Sequence, residues 1–101
     1  MAPVRRIVLD VLKPHQPDLV EFARQIADLE SVGGVDVAVI EIDKEVQNVK
    51  LTAQGDALDY DSITAAVQEL GGTVHSLDDV ACGEHVLDEP TTASIGPTWL
   101  R

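Results

Sequence analysis

The sequence predicts an α+β fold: a four-stranded antiparallel sheet with two helices on one face. Three observations predict it. Four segments alternate apolar and other residues at the period of a strand. Two further segments repeat apolar residues at spacings of three and four, as a helix facing a sheet does. The segments run strand, helix, strand, strand, helix, strand, and each half has a Gly-Gly pair between its helix and the strand after it. That order is the split βαβ arrangement of the ferredoxin-like fold, with the first and third strands central. A chain of 101 residues has room for one such domain.

The first strand is read from Val4 to Val11, with Ile7, Leu9 and Val11 on one face and Arg6, Val8 and Asp10 on the other. Pro14 and Pro17 stop it, and Asp18 opens a helix that runs to Glu30. Leu19, Phe22, Ala23, Ile26 and Ala27 line the apolar side of that helix, and Gly33-Gly34 provide its exit. The second strand spans Val35 to Asp43. Ala38, Ile40 and Ile42 share one face, and Val37, Val39 and Glu41 share the other. A sheet covered on one side alternates apolar with polar, so apolar residues on both faces imply a second covering partner. Asn48 to Gln54 is the third strand. A helix opened by Asp59, Tyr60 and Asp61 continues to Leu70, with Gly71-Gly72 as its exit. Thr73 to Leu77 is the fourth strand, continuing in bent form from Val80 to Cys82. The domain is placed at residues 1–84. Residues 85–101, with Pro90, Gly96 and Pro97 and little periodicity, read as a flexible tail or assembly arm.

Eighteen acidic residues against 7 basic ones give a formal charge of -11. Nucleic acid and anionic membranes require a positive surface, so neither is an expected partner. RNA recognition on an open sheet also uses aromatic side chains, and Phe22, Tyr60 and Trp99 all lie outside the strands. With lysine only at 13, 44 and 50, the composition suits a halophilic protein, because concentrated salt screens self-repulsion. Cys82 has no partner for an internal disulfide, and no apolar run approaches the roughly 20 residues of a membrane span. The cytoplasm is the expected location.

The run Val4-Arg5-Arg6-Ile7-Val8-Leu9-Asp10-Val11-Leu12-Lys13-Pro14-His15 resembles the opening of DUF211, a family of small archaeal proteins of uncharacterised function. Three later stretches resemble it in the same order: Leu29-Glu30 with Gly33-Gly34-Val35, Glu41-Ile42-Asp43 with Asn48-Val49-Lys50, and Glu69-Leu70-Gly71-Gly72 with His75-Ser76-Leu77-Asp78-Asp79-Val80. The likeness covers residues 4 to 84. It implies a ferredoxin-like fold, self-association into rings or larger oligomers and, in some members, a bound divalent cation such as calcium. It implies no activity.

The candidate metal ligands are Asp10, Glu41, Asp43, His75 and Asp78. Clustered oxygens suit calcium or magnesium, and a histidine among carboxylates also admits zinc or manganese. Against that stands a plainer reading of Asp10 as an ion pair or hydrogen bond on the sheet face, with Lys50 or Thr52 nearer than Glu41. His15, between two prolines, can cap backbone groups, and nothing nearby is a nucleophile for it to activate. Ser76 beside His75 is not a catalytic pair, since strand neighbours face opposite ways. The glycines match no phosphate-binding loop. The expected function is therefore a non-enzymatic homo-oligomer holding a divalent cation or small ligand. The alternative is a regulatory domain like the amino-acid-binding ACT domains, sensing a small molecule at a subunit interface.

Overall fold

A computed structural model describes residues 1–85 of the chain. The order is β1 (Val4–Pro14), α1 (Leu19–Ala27), β2 (Gly34–Ile42), β3 (Val46–Gln54), α2 (Tyr60–Glu69) and β4 (Thr73–Cys82). The four strands form one antiparallel sheet in the order β2-β3-β1-β4, so β1 and β3 are central. This is the ferredoxin-like arrangement. The reading of residues 85–101 as a tail or arm lies, from residue 86 on, outside the described residues. No described helix is long and apolar enough to cross a membrane.

Local chemistry explains the helix limits. Asp18 accepts a hydrogen bond from the Glu21 amide at 2.8 Å and caps α1; Asp59 does the same for the Ser62 amide and caps α2. α1 ends at Ala27, short of Glu30, because Asp28 is its C-cap and the following amides bond backward in tight turns. Gly71, at φ +88, is a true glycine exit for α2. Gly33-Gly34 are not one for α1. They lie six and seven residues beyond Ala27, where β2 begins at Gly34, and neither has a positive φ.

The core lies between the sheet and the helices. Ile7, Leu9 and Val11 of β1 and Val49, Leu51 and Ala53 of β3 meet Phe22 and Ile26 of α1 and Ile63 and Val67 of α2. β1 runs three residues past its expected end, and the same alternation then places Lys13 on the core side. Lys13 is 0% exposed. Its ammonium donates to the Pro14 carbonyl at 2.9 Å and to Gln47 Oε1 at 3.2 Å, and lies 5.8 Å from the Phe22 ring centroid.

Burial holds the Lys13 pKa below its ordinary value of 10.5, and the nearby charge of Asp18 opposes that shift. Between the lowered folded-state value and 10.5 the unfolded chain binds more protons, so this group makes stability rise with pH. Its contribution is full above 10.5 and is lost as pH falls through the folded-state value. Replacing Lys13 by Met removes this term. The expected result is that the melting temperature of the native chain rises relative to that of the Lys13→Met variant as the pH is taken to the alkaline side. A difference independent of pH up to about 11 rules the effect out.

Candidate functional site

The face of the sheet away from the helices carries the expected site residues. Arg6, Val8, Asp10 and Leu12 of β1 project there, beside Gln54, Thr52, Lys50 and Asn48 of β3 in register. Val8 is only 2% exposed although no helix covers it. Its strand partners Thr52 and Asp79 flank it, and Arg6, buried on the same face, donates from Nη2 to Asp79 Oδ2 at 3.1 Å. Side chains therefore form a lid over the middle of the open face.

β4 pairs with β1 through bulges. The register skips Asp78 between Val8 and Leu9, and His75 between Asp10 and Val11. Each bulge adds one residue and turns its side chain off the regular alternation. His75 Nδ1 thereby comes within 3.4 Å of Asp10 Oδ2, an ion pair when the ring is protonated. Asp10 Oδ1 is covered and accepts no hydrogen bond. Asp78 accepts from the Ser76 hydroxyl at 2.7 Å.

Glu41 and Asp43 are elsewhere. β2 also carries a bulge, in which Ile40 is the extra residue between Val39, opposite Val49, and Glu41, opposite Asn48. This corrects the expected faces of the second strand. Glu41 joins Asp36 and Ala38 on the open face, and Ile42, opposite Gln47, returns to the side of Val37 and Val39. The open face of β2 is thus polar or small, and its exposed apolar residues collect at the C-terminal end. Asp10 and Glu41 are separated by two strand spacings, about 10 Å across the sheet. Asp43 sits in the β2–β3 turn. Its Oδ1 accepts from the Lys44 amide, and its carbonyl accepts from His15 Nε2 at 3.1 Å. His15 therefore caps a backbone group, as expected, at this turn.

Of the five candidate ligands, the fold brings together Asp10 and His75, places Asp78 nearby on the same strand, and sets Glu41 and Asp43 apart. Among the described residues no three His, Cys, Asp or Glu side chains converge as a metal ion requires. Calcium takes six to eight oxygens, so one chain does not supply a complete cage from these residues. Asp10 has its Oδ2 3.4 Å from His75 Nδ1 and stands in register with Lys50.

Two features escaped the sequence reading. One is Lys13, whose signal was present: Ile7, Leu9, Val11 and Lys13 keep a period of two. The other is a groove along the seam of β2 and β3. A basin of about 540 Å³ over Gly34, Asp36, Ala38, Lys50, Thr52 and Gln54 adjoins one of about 420 Å³ beside Arg5, Gly55 and Asp56. Gly34 and Gln54 belong to both. Arg5 is fixed there by donating from Nε to the Gly55 carbonyl at 3.1 Å and from Nη1 to the carbonyls of Gly83 and Glu84.

Comparison with known proteins agrees with the family resemblance and extends it. The family model of DUF211, uncharacterised ArCR proteins, matches residues 5–94, beyond residue 84 where the motif likeness stops. The uncharacterised protein MJ0319 of Methanocaldococcus jannaschii is 46% identical over 92 residues, which cover 91% of this chain and 95% of that protein. With its β-α-β-β-α-β order and this match over most of its length, the chain belongs to the DUF211 family.

Proposed function

We propose that this protein is a self-associating binding module, not an enzyme, in which the β2 edge of one copy meets a second copy. A single observation carries the reading. β2 is an edge strand, and its end leaves Val39, Ile40 and Ile42 at 38%, 63% and 65% exposure. An edge with unpaired backbone groups and uncovered β-branched side chains invites another chain. Two copies that each carry -11 also repel. A divalent cation of the calcium type, held by carboxylates from both copies, relieves that repulsion, and so does the concentrated salt of a halophilic cytoplasm.

Sedimentation tests this. The native chain is expected to sediment as an oligomer in high salt, with calcium shifting the distribution further after chelation. The double variant Ile40→Asp with Ile42→Asp is expected to sediment as a folded monomer. A native chain that stays monomeric in dilute buffer, in concentrated salt and with calcium sinks the reading.

The groove favours a second reading, a regulatory domain like the ACT domains that senses a small molecule beside the subunit contact. It adjoins β2, the edge on which assembly is proposed. A ligand that binds the folded chain raises its melting temperature, so a screen of amino acids and nucleotides separates this reading from assembly alone.

A further inference from the structure

We propose that the groove along the β2–β3 seam binds a small zwitterion, a molecule with a free ammonium and a free carboxylate such as an α-amino acid. This rests on the ligand-sensing reading and names its ligand class.

The groove has the capacity of a small-molecule site, since such sites run from about 300 to 1,000 Å³. It is open because of what stands on β2. Asp36 lies between Gly34 and Ala38 on the open face, so the floor falls away on both sides of the carboxylate while β3 presents Gln54, Thr52 and Lys50 opposite.

Gly34 is the informative residue. Glycine is usually demanded by a left-handed backbone or by a close neighbour, and neither applies here. Its φ is not positive, and a Cβ built on it meets nothing within 4 Å. Gly55, also on the groove, is the contrast: its Cβ would lie 2.5 Å from the Ser31 carbonyl oxygen. Glycine in a strand forgoes conformational restriction and side-chain packing, and commonly marks close approach by a ligand. A side chain at position 34 would occupy the junction that the two basins share.

The charges select the ligand. Asp36 offers a carboxylate to an ammonium group. Lys50 at one end, and at the other the guanidinium of Arg5, whose Nη2 lies 3.8 Å from Asp56 Oδ1, place positive charge beside the groove where a carboxylate would lie. Thr52 and Gln54 add neutral donors and acceptors. Asp36 and Asp56 oppose a multiply charged anion, the polar walls oppose a wholly apolar ligand, and neither basin has an aromatic ring on which a base could stack. A zwitterion meets both signs of charge at once.

Calorimetry and thermal melting of the full chain with each common L-α-amino acid test the proposal. At least one is expected to bind and raise the melting temperature, and its N-acetyl and methyl-ester derivatives are expected to bind at least about tenfold more weakly. Gly34→Leu is expected to abolish binding while the unliganded chain melts as before. Asp36→Asn, at an exposed position, is expected to weaken binding about tenfold and serves if Gly34→Leu disturbs folding. Absence of binding by every amino acid overturns the proposal, as does undiminished binding to the folded Gly34→Leu variant or, should that variant not fold, to Asp36→Asn. If nucleotides shift the melting temperature and amino acids do not, the zwitterion is wrong and the ligand-sensing reading survives. If nothing shifts it, both fall.

Discussion

Phe22→Ala is expected to lower the stability of the fold by about 3–5 kcal/mol. Phe22 is 0% exposed and is the one aromatic side chain in the described core. Its removal deletes the largest apolar group of α1, leaves a cavity under the sheet, and takes away the ring beneath the Lys13 ammonium. Domains of this size are held by about 5–15 kcal/mol in total, so the variant should approach the limit of folding. Urea unfolding of the two proteins measures the loss, and Phe22→Leu, which keeps most of the volume, is expected to lose less than half as much. A loss under about 1 kcal/mol for Phe22→Ala would show that α1 does not depend on this contact for its docking.

Gly55→Ala is expected to cost about 2–3 kcal/mol, an unusually large effect for one methyl group. The added Cβ would sit 2.5 Å from the Ser31 carbonyl oxygen, 3.1 Å from Leu58 Cδ2 and 3.2 Å from the Gly33 nitrogen. Two of these are backbone atoms and cannot swing aside as a side chain would. The segment joining α1 to β2 and the segment joining β3 to α2 must therefore separate. That strains the bonds between them: the Gly33 amide to the Gln54 carbonyl at 2.7 Å, and the Asp59 amide to Ser31 Oγ at 3.0 Å. Gly34→Ala is the control. It adds the same methyl group into open space, and its expected effect lies within about 0.5 kcal/mol. Equal melting temperatures for the Gly55→Ala variant and the native chain would mean that these two segments are not locked together.

The two glycine pairs show how far a sequence can be read. Gly33-Gly34 and Gly71-Gly72 look alike, each pair coming after an amphipathic stretch, and a common role as helix exits is the natural inference. It holds for Gly71, which has the left-handed backbone that such an exit uses. It fails for the first pair, because Asp28 has already ended α1 and the chain turns through Leu29 to Val32 before β2 begins. Spacing reports that a break exists. It does not report which residue makes it.

The candidate site was legible in part for a related reason. Alternation placed Arg6, Val8 and Asp10 together on the open face of β1, and the topology set Lys50 or Thr52 nearer to Asp10 than Glu41, of which Lys50 is the residue in register. Alternation failed wherever a strand carries an extra residue. Ile40, His75 and Asp78 each fall in a bulge, and each bulge shifts the faces of the residues beyond it. The contact of His75 with Asp10 and the move of Glu41 away from Val39 both come from those insertions.

What the sequence determined by itself is the element order, the strand neighbours, the core face of β1 and the family. These arise from periodicity and chain connectivity, which are local or nearly so. Tertiary structure decided which carboxylates meet, and that a groove opens beside Gly34. Those depend on bulges, on the reach of long side chains and on gaps between strands. Such features arise only when segments distant in the chain are laid side by side, and no local pattern of residues encodes them.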